Sequence, residues 1–115
     1  MRFLCIYKPG VAEGAPPTQD EMTRMGQLIH EMLGAGVLIT TEGCQPSAKG
    51  FRVSVDGDDF RVIDGPFSET KELIGGFAII QVKSKDEAVH WTKRFLSTVG
   101  RGVSEVRLLH DQPAA

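Results

Sequence analysis

Four ionisable side chains crowd one short stretch, DGPFSETKELIGGF, at residues 64–77: Asp64, Glu69, Lys71 and Glu72. Two chemistries suit such a cluster. A carboxylate in a partly dry cleft can take a proton from a substrate, because burial lifts its pKa toward working pH. A lysine beside it can hold an anion. Asp64 is therefore the candidate general base, and Lys71 or Lys8 the candidate anion anchor. Tyr7 and Lys8 close the first strand and Glu42 sits at the matching end of the second. With Asp64 and Lys71 they are expected to surround one pocket as ligand-binding residues.

A plainer reading stands beside this one, since charged turns are commonly just solvated. An aspartate in a turn usually accepts the backbone N–H two residues on. Here that residue is Pro66, which has no N–H. The Asp64 carboxylate must take the Phe67 or Ser68 amide, reach a more distant donor, or face a ligand. The expectation from the residues is that it caps the turn first and acts second. Gly75 and Gly76 allow a sharp turn and a close backbone approach.

Other candidates are weaker. No G-x-x-x-x-G-K-[ST] or G-x-G-x-x-G occurs, so no nucleotide or other cofactor is expected. His30, His90 and His110 have no metal-ligand spacing, and no metal is expected. Cys5 and Cys44 lie far apart without a CxxC pattern, and two free thiols are expected. Of 115 residues, 41% are hydrophobic and 24% charged, and the net charge is −2. That balance carries no basic footprint for nucleic acid. No apolar run approaches the ~20 residues of a membrane span. MRFLCIYKPG lacks the make-up of a signal peptide, so the cytoplasm is the expected compartment.

The elements that must position these residues follow from periodicity. Residues 2–8 alternate as a strand with apolar side chains on both faces: Phe3, Cys5 and Tyr7 against Leu4 and Ile6. Thr18 and Glu21 fit a capping box, and Met22, Met25, Leu28, Ile29, Met32 and Leu33 share one helical face. Gly34 and Gly36 end that helix. Val37–Thr41 is a β-branched strand. Phe51, Val53 and Val55, then Phe60 and Val62, alternate about a DGDD turn as a hairpin. Residues 76–82 form a strand apolar on both faces. Ser84 and Glu87 open a second helix, with Ala88, Trp91, Thr92 and Phe95 as its buried stripe. Val103–Leu109 is the last strand. Residues 1–110 read as one domain and 111–115 as a tail.

The order β-α-β, hairpin, β-α-β predicts an α+β, ferredoxin-like split βαβ sheet with an inserted hairpin. Both helices of such a sheet lie on one face. Strands apolar on both faces leave the other face in need of cover, at ~25 cal/mol per Å² of exposed apolar surface. A second copy packed sheet to sheet supplies it, so a homodimer is expected. The alternative is that the hairpin and loops fold back over that face.

VIDGPFSETKELIGGF resembles the signature of the YCII-related proteins, in the branch named for its Asp-Gly-Pro-Phe motif. AGVLITTEGCQPSAKGFRV resembles that branch's middle segment and QVKSKDEAVHWTKRF its second helix. The resemblance runs from the first strand to about Leu109. It implies a dimeric α/β-barrel-type assembly. The wider superfamily includes enzymes acting on small anionic ring compounds, and some members of the branch are encoded beside sigma factors. The YCII proteins proper carry a His-Asp pair, the His near the start of the first helix. This sequence departs there: TQDEMTRMG has no His, and His30 comes about two turns later. Two functions are therefore expected in competition. One is an isomerase- or lyase-like enzyme on a small anionic compound, with Asp64 as base. The other is a non-catalytic binding or interaction module in a sigma-factor-linked regulatory setting.

Overall fold

The computed structural model describes residues 1–14 and 16–111. The tail expected from residue 111 lies outside the described residues from 112 onward. Along the chain run β1 (Arg2–Lys8), α1 (Gln19–Gly34), β2 (Leu38–Gly43), β3 (Phe51–Asp56), β4 (Asp59–Asp64), β5 (Gly76–Gln81), α2 (Lys85–Val99) and β6 (Val103–Leu108). Single 3-10 turns interrupt the loops at Ser47–Lys49 and Thr70–Glu72. Four strands form an antiparallel sheet in the order β2-β5-β1-β6, and β3 and β4 pair only with each other. The two βαβ halves are thus interleaved as a ferredoxin-like sheet requires.

The helix ends obey local chemistry. The Glu21 N–H donates to Thr18 Oγ1 at 3.1 Å and the Glu87 N–H to Ser84 Oγ at 3.1 Å, so each first turn has a side-chain cap. Glu87 reaches back one residue beyond the cap and accepts the Lys83 N–H at 2.9 Å. At the other end of α1, Gly36 takes a φ of +72° and the Val37 N–H returns to the Met32 carbonyl at 3.0 Å. That is a Schellman closure, and it needs a residue free of Cβ strain. Gly36 is therefore the stop signal, while Gly34 is still helical.

Both helices pack on one face of the sheet. Phe3 and Ile80 are direct cross-strand partners on that face, and they share a buried cluster with Leu28, Met32, Val37, Val82, Ala88 and Trp91. The pleat sends Leu4, Ile6, Phe77 and Ile79 to the opposite face, as the pairs Leu4–Ile79 and Ile6–Phe77. These four are half-buried. No described helix lies over them. The hairpin does not cover them either: every residue of β3 and β4 is exposed. The fold-back alternative fails for this reason. The hairpin projects, and the radius of gyration is 16.1 Å where a compact chain of this length has about 13 Å.

Candidate functional site

A cavity of about 500 Å³ opens between the helices and the sheet. Its size suits a small organic ligand. Three kinds of residue build it. Met22, Met25 and Met32 come from α1, and Trp91 and Phe95 from α2. The floor is small, because Ala78 and Gly76 of β5 sit opposite Cys5 and Tyr7 of β1. Gly75 and Gly76 keep it so. A Cβ at Gly75 would come within 2.9 Å of the Tyr7 ring, and one at Gly76 within 2.6 Å of the Glu42 carbonyl oxygen.

The polar groups of the lining have a shared bias. Tyr7 donates its hydroxyl to the Arg101 carbonyl at 2.9 Å, and its ring meets Phe95 edge to face at 5.1 Å. Thr41 donates to the Phe77 carbonyl, Thr92 to Ala88 and Thr98 to Arg94, at 3.0, 2.8 and 2.9 Å. Every one of these hydroxyl protons is spent on backbone. What these four leave toward the cavity is oxygen lone pairs, which accept, while Ser104 and the Cys5 thiol keep a proton to give. Glu21 adds a carboxylate at the border, and no Lys, Arg or His lines it. Burial pushes the Cys5 thiol up from its ordinary pKa. Cys5 is therefore a neutral thiol at physiological pH and a poor nucleophile.

The five candidate residues from the sequence do not ring this cavity together. Tyr7 and Glu42 border it, whereas Lys8, Asp64 and Lys71 are not among its lining residues. Pleat alternation explains the split. Tyr7 faces the helices, while Lys8, one residue out of phase, falls on the open face; Glu42 shares that open-face phase and meets the cavity only at its edge, near the end of β2. Lys8 there bonds Glu105 at 3.3 Å, and Glu42 pairs with Phe77. Lys71 is exposed on a 3-10 turn.

Asp64 is exposed at the base of the hairpin, and its carboxylate makes no hydrogen bond among the described residues. The expected cap on Phe67 is made by another residue. The Phe67 N–H donates to Ser47 Oγ at 2.9 Å. Ser47 in turn gives its own N–H and hydroxyl to the two Glu13 oxygens, at 2.6 and 2.8 Å. The turn between Gly65 and Pro66 is a cis peptide. Glu13, Ser47 and Phe67 thus tie three loops at one point. Arg52 completes the set: its guanidinium lies 3.8 Å from the Phe67 ring centre and 3.3 Å from Glu72. Of the motif's charged residues, Glu72 alone joins this clamp. Cys44 is exposed, not buried as the apolar residue at this place in the resembled Asp-Gly-Pro-Phe branch implies, and both cysteines are free.

The YCII-related domain family matches this chain over residues 1–111. The chain belongs to that family. An uncharacterized protein of Rhizobium meliloti (strain 1021) is 28% identical over 92 residues, spanning 78% of this chain and 74% of that one. Among solved structures, 5-chloro-2-hydroxyhydroquinone dehydrochlorinase from Burkholderia phenoliruptrix AC1100, in complex with 2,5-dihydroxybenzoquinone, superposes with a TM-score of 0.46. It is 16% identical, and the match covers 97% of this chain and 96% of the other.

Sequence reasoning missed most of this YCII-related chain's cavity wall. Its signal was present in α1, whose apolar stripe is longer than its core. Leu28 and Met32 are buried, but Met22 at the N-terminal end of the same stripe is 50% exposed. The threonines of α2 were the other signal, as hydroxyls within an otherwise apolar stripe. Among the described residues no group of three or more His, Cys, Asp or Glu side chains could hold a metal ion, and no helix is long and apolar enough to cross a membrane.

Proposed function

We propose that this protein binds one small, neutral, largely aromatic or apolar compound in the cavity between its helices and sheet, and that the compound carries hydrogen-bond donors. The observation that supports this reading is the one-sided polarity of the lining. Four of its five hydroxyls, all but Ser104, are committed to backbone, and with a carboxylate at the rim the lining accepts more hydrogen bonds than it gives. An anion would meet no positive charge and would be desolvated beside Glu21, at a cost no partner offsets. A phenol or aromatic amine would find acceptors for its O–H or N–H and a Met, Phe and Trp wall for its ring. Trp91 reports occupancy by its fluorescence. A saturable change with a neutral phenol, and none with a benzoate of similar size, is expected. Tighter binding of the benzoate overturns the reading.

A second reading rests on Asp64. Its carboxylate is unpartnered and lies on the same face of the hairpin as Phe51, its cross-strand neighbour. An enzyme acting on a small anionic compound, with Asp64 as general base and Lys71 or Lys8 as anchor, would need that carboxylate enclosed. A single copy leaves it in solvent, so such a site would form only between copies. Asp64→Asn would then retain the fold and lose any activity found. The motif Asp64–Phe67 also supports membership of the Asp-Gly-Pro-Phe branch.

The assembly proposed for either function is a homodimer joined through the open face of the sheet. Leu4, Ile6, Phe77 and Ile79 form its apolar centre, and Lys8, Glu42, Glu105 and Arg107 its charged border.

A further inference from the structure

The hairpin is amphipathic in the wrong direction for a lone chain. Its register places Phe51, Val53, Val55, Phe60 and Val62 on one face, with Asp64 at the base of that face, and Arg52, Ser54, Arg61 and Ile63 on the other. The five apolar side chains are 58–73% exposed. The polar face is the one the chain uses on itself. Arg52, near its base, stacks on Phe67 and bonds Glu72. The Gly65 N–H donates to the Gly50 carbonyl at 2.9 Å and fixes the base. The apolar face therefore looks away from the loop that anchors it.

An isolated two-stranded hairpin is at best marginally stable in water, so this one needs a cover whenever the protein is folded. A cover that is always available is another molecule of the same chain. The areas agree. Four strands of about six residues give an open sheet face of roughly 20 × 20 Å in plan. A stable interface takes about 800 Å² from each partner, about twice that plan area. The two hairpin strands add about half as much again, and side-chain relief on both surfaces brings the total near what is needed.

We propose that the β3–β4 hairpin is an arm that lays its apolar face on a second copy of this chain, extending the sheet-face contact into one dimer interface. The inference rests on the homodimer proposed above and is independent of the ligand in the cavity.

The test uses the full chain. Sedimentation over a concentration series compares wild type with Val53→Ser/Val62→Ser, a cross-strand pair at the centre of the arm. The dimer Kd is expected to rise at least about tenfold, with the far-ultraviolet circular dichroism unchanged. In parallel, p-benzoylphenylalanine placed at position 60, the most exposed of the five, is irradiated, and a covalent dimer is expected. If the double variant fails to fold, this crosslink decides. A monomeric wild type overturns the proposal, as does an unchanged Kd or a benzophenone that attaches only within its own chain. Ile6→Ser/Phe77→Ser separates the arm from the sheet face. An intact dimer in that variant, with a weakened one in the arm variant, removes the sheet-face reading and leaves the arm standing.

Discussion

Ser47 Oγ accepts the Phe67 amide at 2.9 Å, across 20 residues of sequence, in the place the nearby Asp64 carboxylate was expected to fill. The same hydroxyl donates to Glu13, so one serine joins the loops that follow β1, β2 and β4.

Ser47→Ala removes both of these side-chain bonds and should cost about 1–2 kcal/mol. That corresponds to a melting temperature lower by roughly 4–12 °C. Asp64→Ala, by contrast, should fall within about 0.5 kcal/mol of wild type, because it removes no hydrogen bond. Thermal melts of the two variants side by side give the order, and equal losses would show that Asp64 shares the clamp.

Two glycines should respond in opposite directions to alanine. A Cβ at Gly65 would fall 1.8 Å from the Ser47 carbonyl oxygen, and both groups are backbone. Gly65→Ala must displace the clamp and should cost more than about 2 kcal/mol. Gly26 lies in the middle of α1 with nothing within 4 Å of its missing Cβ. Gly26→Ala should stabilise by about 0.5–1 kcal/mol through helix propensity. Chemical denaturation with the slope held constant measures both.

Arg94 grips Glu31 from α2 to α1 with bonds of 2.9 and 2.6 Å. That hydrogen-bonded pairing holds the Glu31 carboxyl below its ordinary pKa of 4.5. A carboxylate whose pKa is depressed by folding stabilises the folded state above the unfolded pKa, and the gain fades as pH falls through the folded value. Glu31→Gln should therefore melt lower than wild type at pH 7, and the gap should narrow as the pH falls below the ordinary value of 4.5. A gap that does not narrow at all as the pH is lowered from 7 through the acid range would assign the effect to something other than charge.

The two thiols should separate in rate. Cys44 is exposed, whereas Cys5 is half-buried with its pKa raised by burial. The thiolate is the reactive form, so at pH 8 a small maleimide should modify Cys44 first and Cys5 more slowly. Cys5 also lines the cavity. A bound ligand should slow it further and leave Cys44 unchanged, which peptide mass spectrometry resolves.

The caps at Thr18 and Ser84 and the DGDD hairpin were legible because each is decided within a few residues. Strand phase was legible too, and it separated Phe3 from Leu4 correctly. The clamp was not, since Ser47 and Phe67 meet only through the paths of three loops. Periodicity also cannot tell a side chain facing a core from one facing a cavity. Met25 and Met32 share a helical stripe, and both border the cavity, yet only Met32 is buried. Glu42 shows the remaining limit: the sequence put it at the right end of the right strand and could not fix its face, because β2 shifts register between Leu38 and Thr40.

The Cys44 N–H donates to the Gly75 carbonyl at 2.9 Å, just beyond the last β2–β5 pair, Gly43 with Gly76. Residues 45–74 therefore leave the sheet and return to it through a single closed neck. A loop closed at its root can unravel without drawing its ends apart, so the excursion should behave as its own cooperative unit. In native-state hydrogen exchange, the amides of β3 and β4 should open together, at a lower free energy than those of β1 and β5. Grafting a two-residue turn across Cys44 and Gly75 would leave the interleaved βαβ core able to fold without the excursion at all.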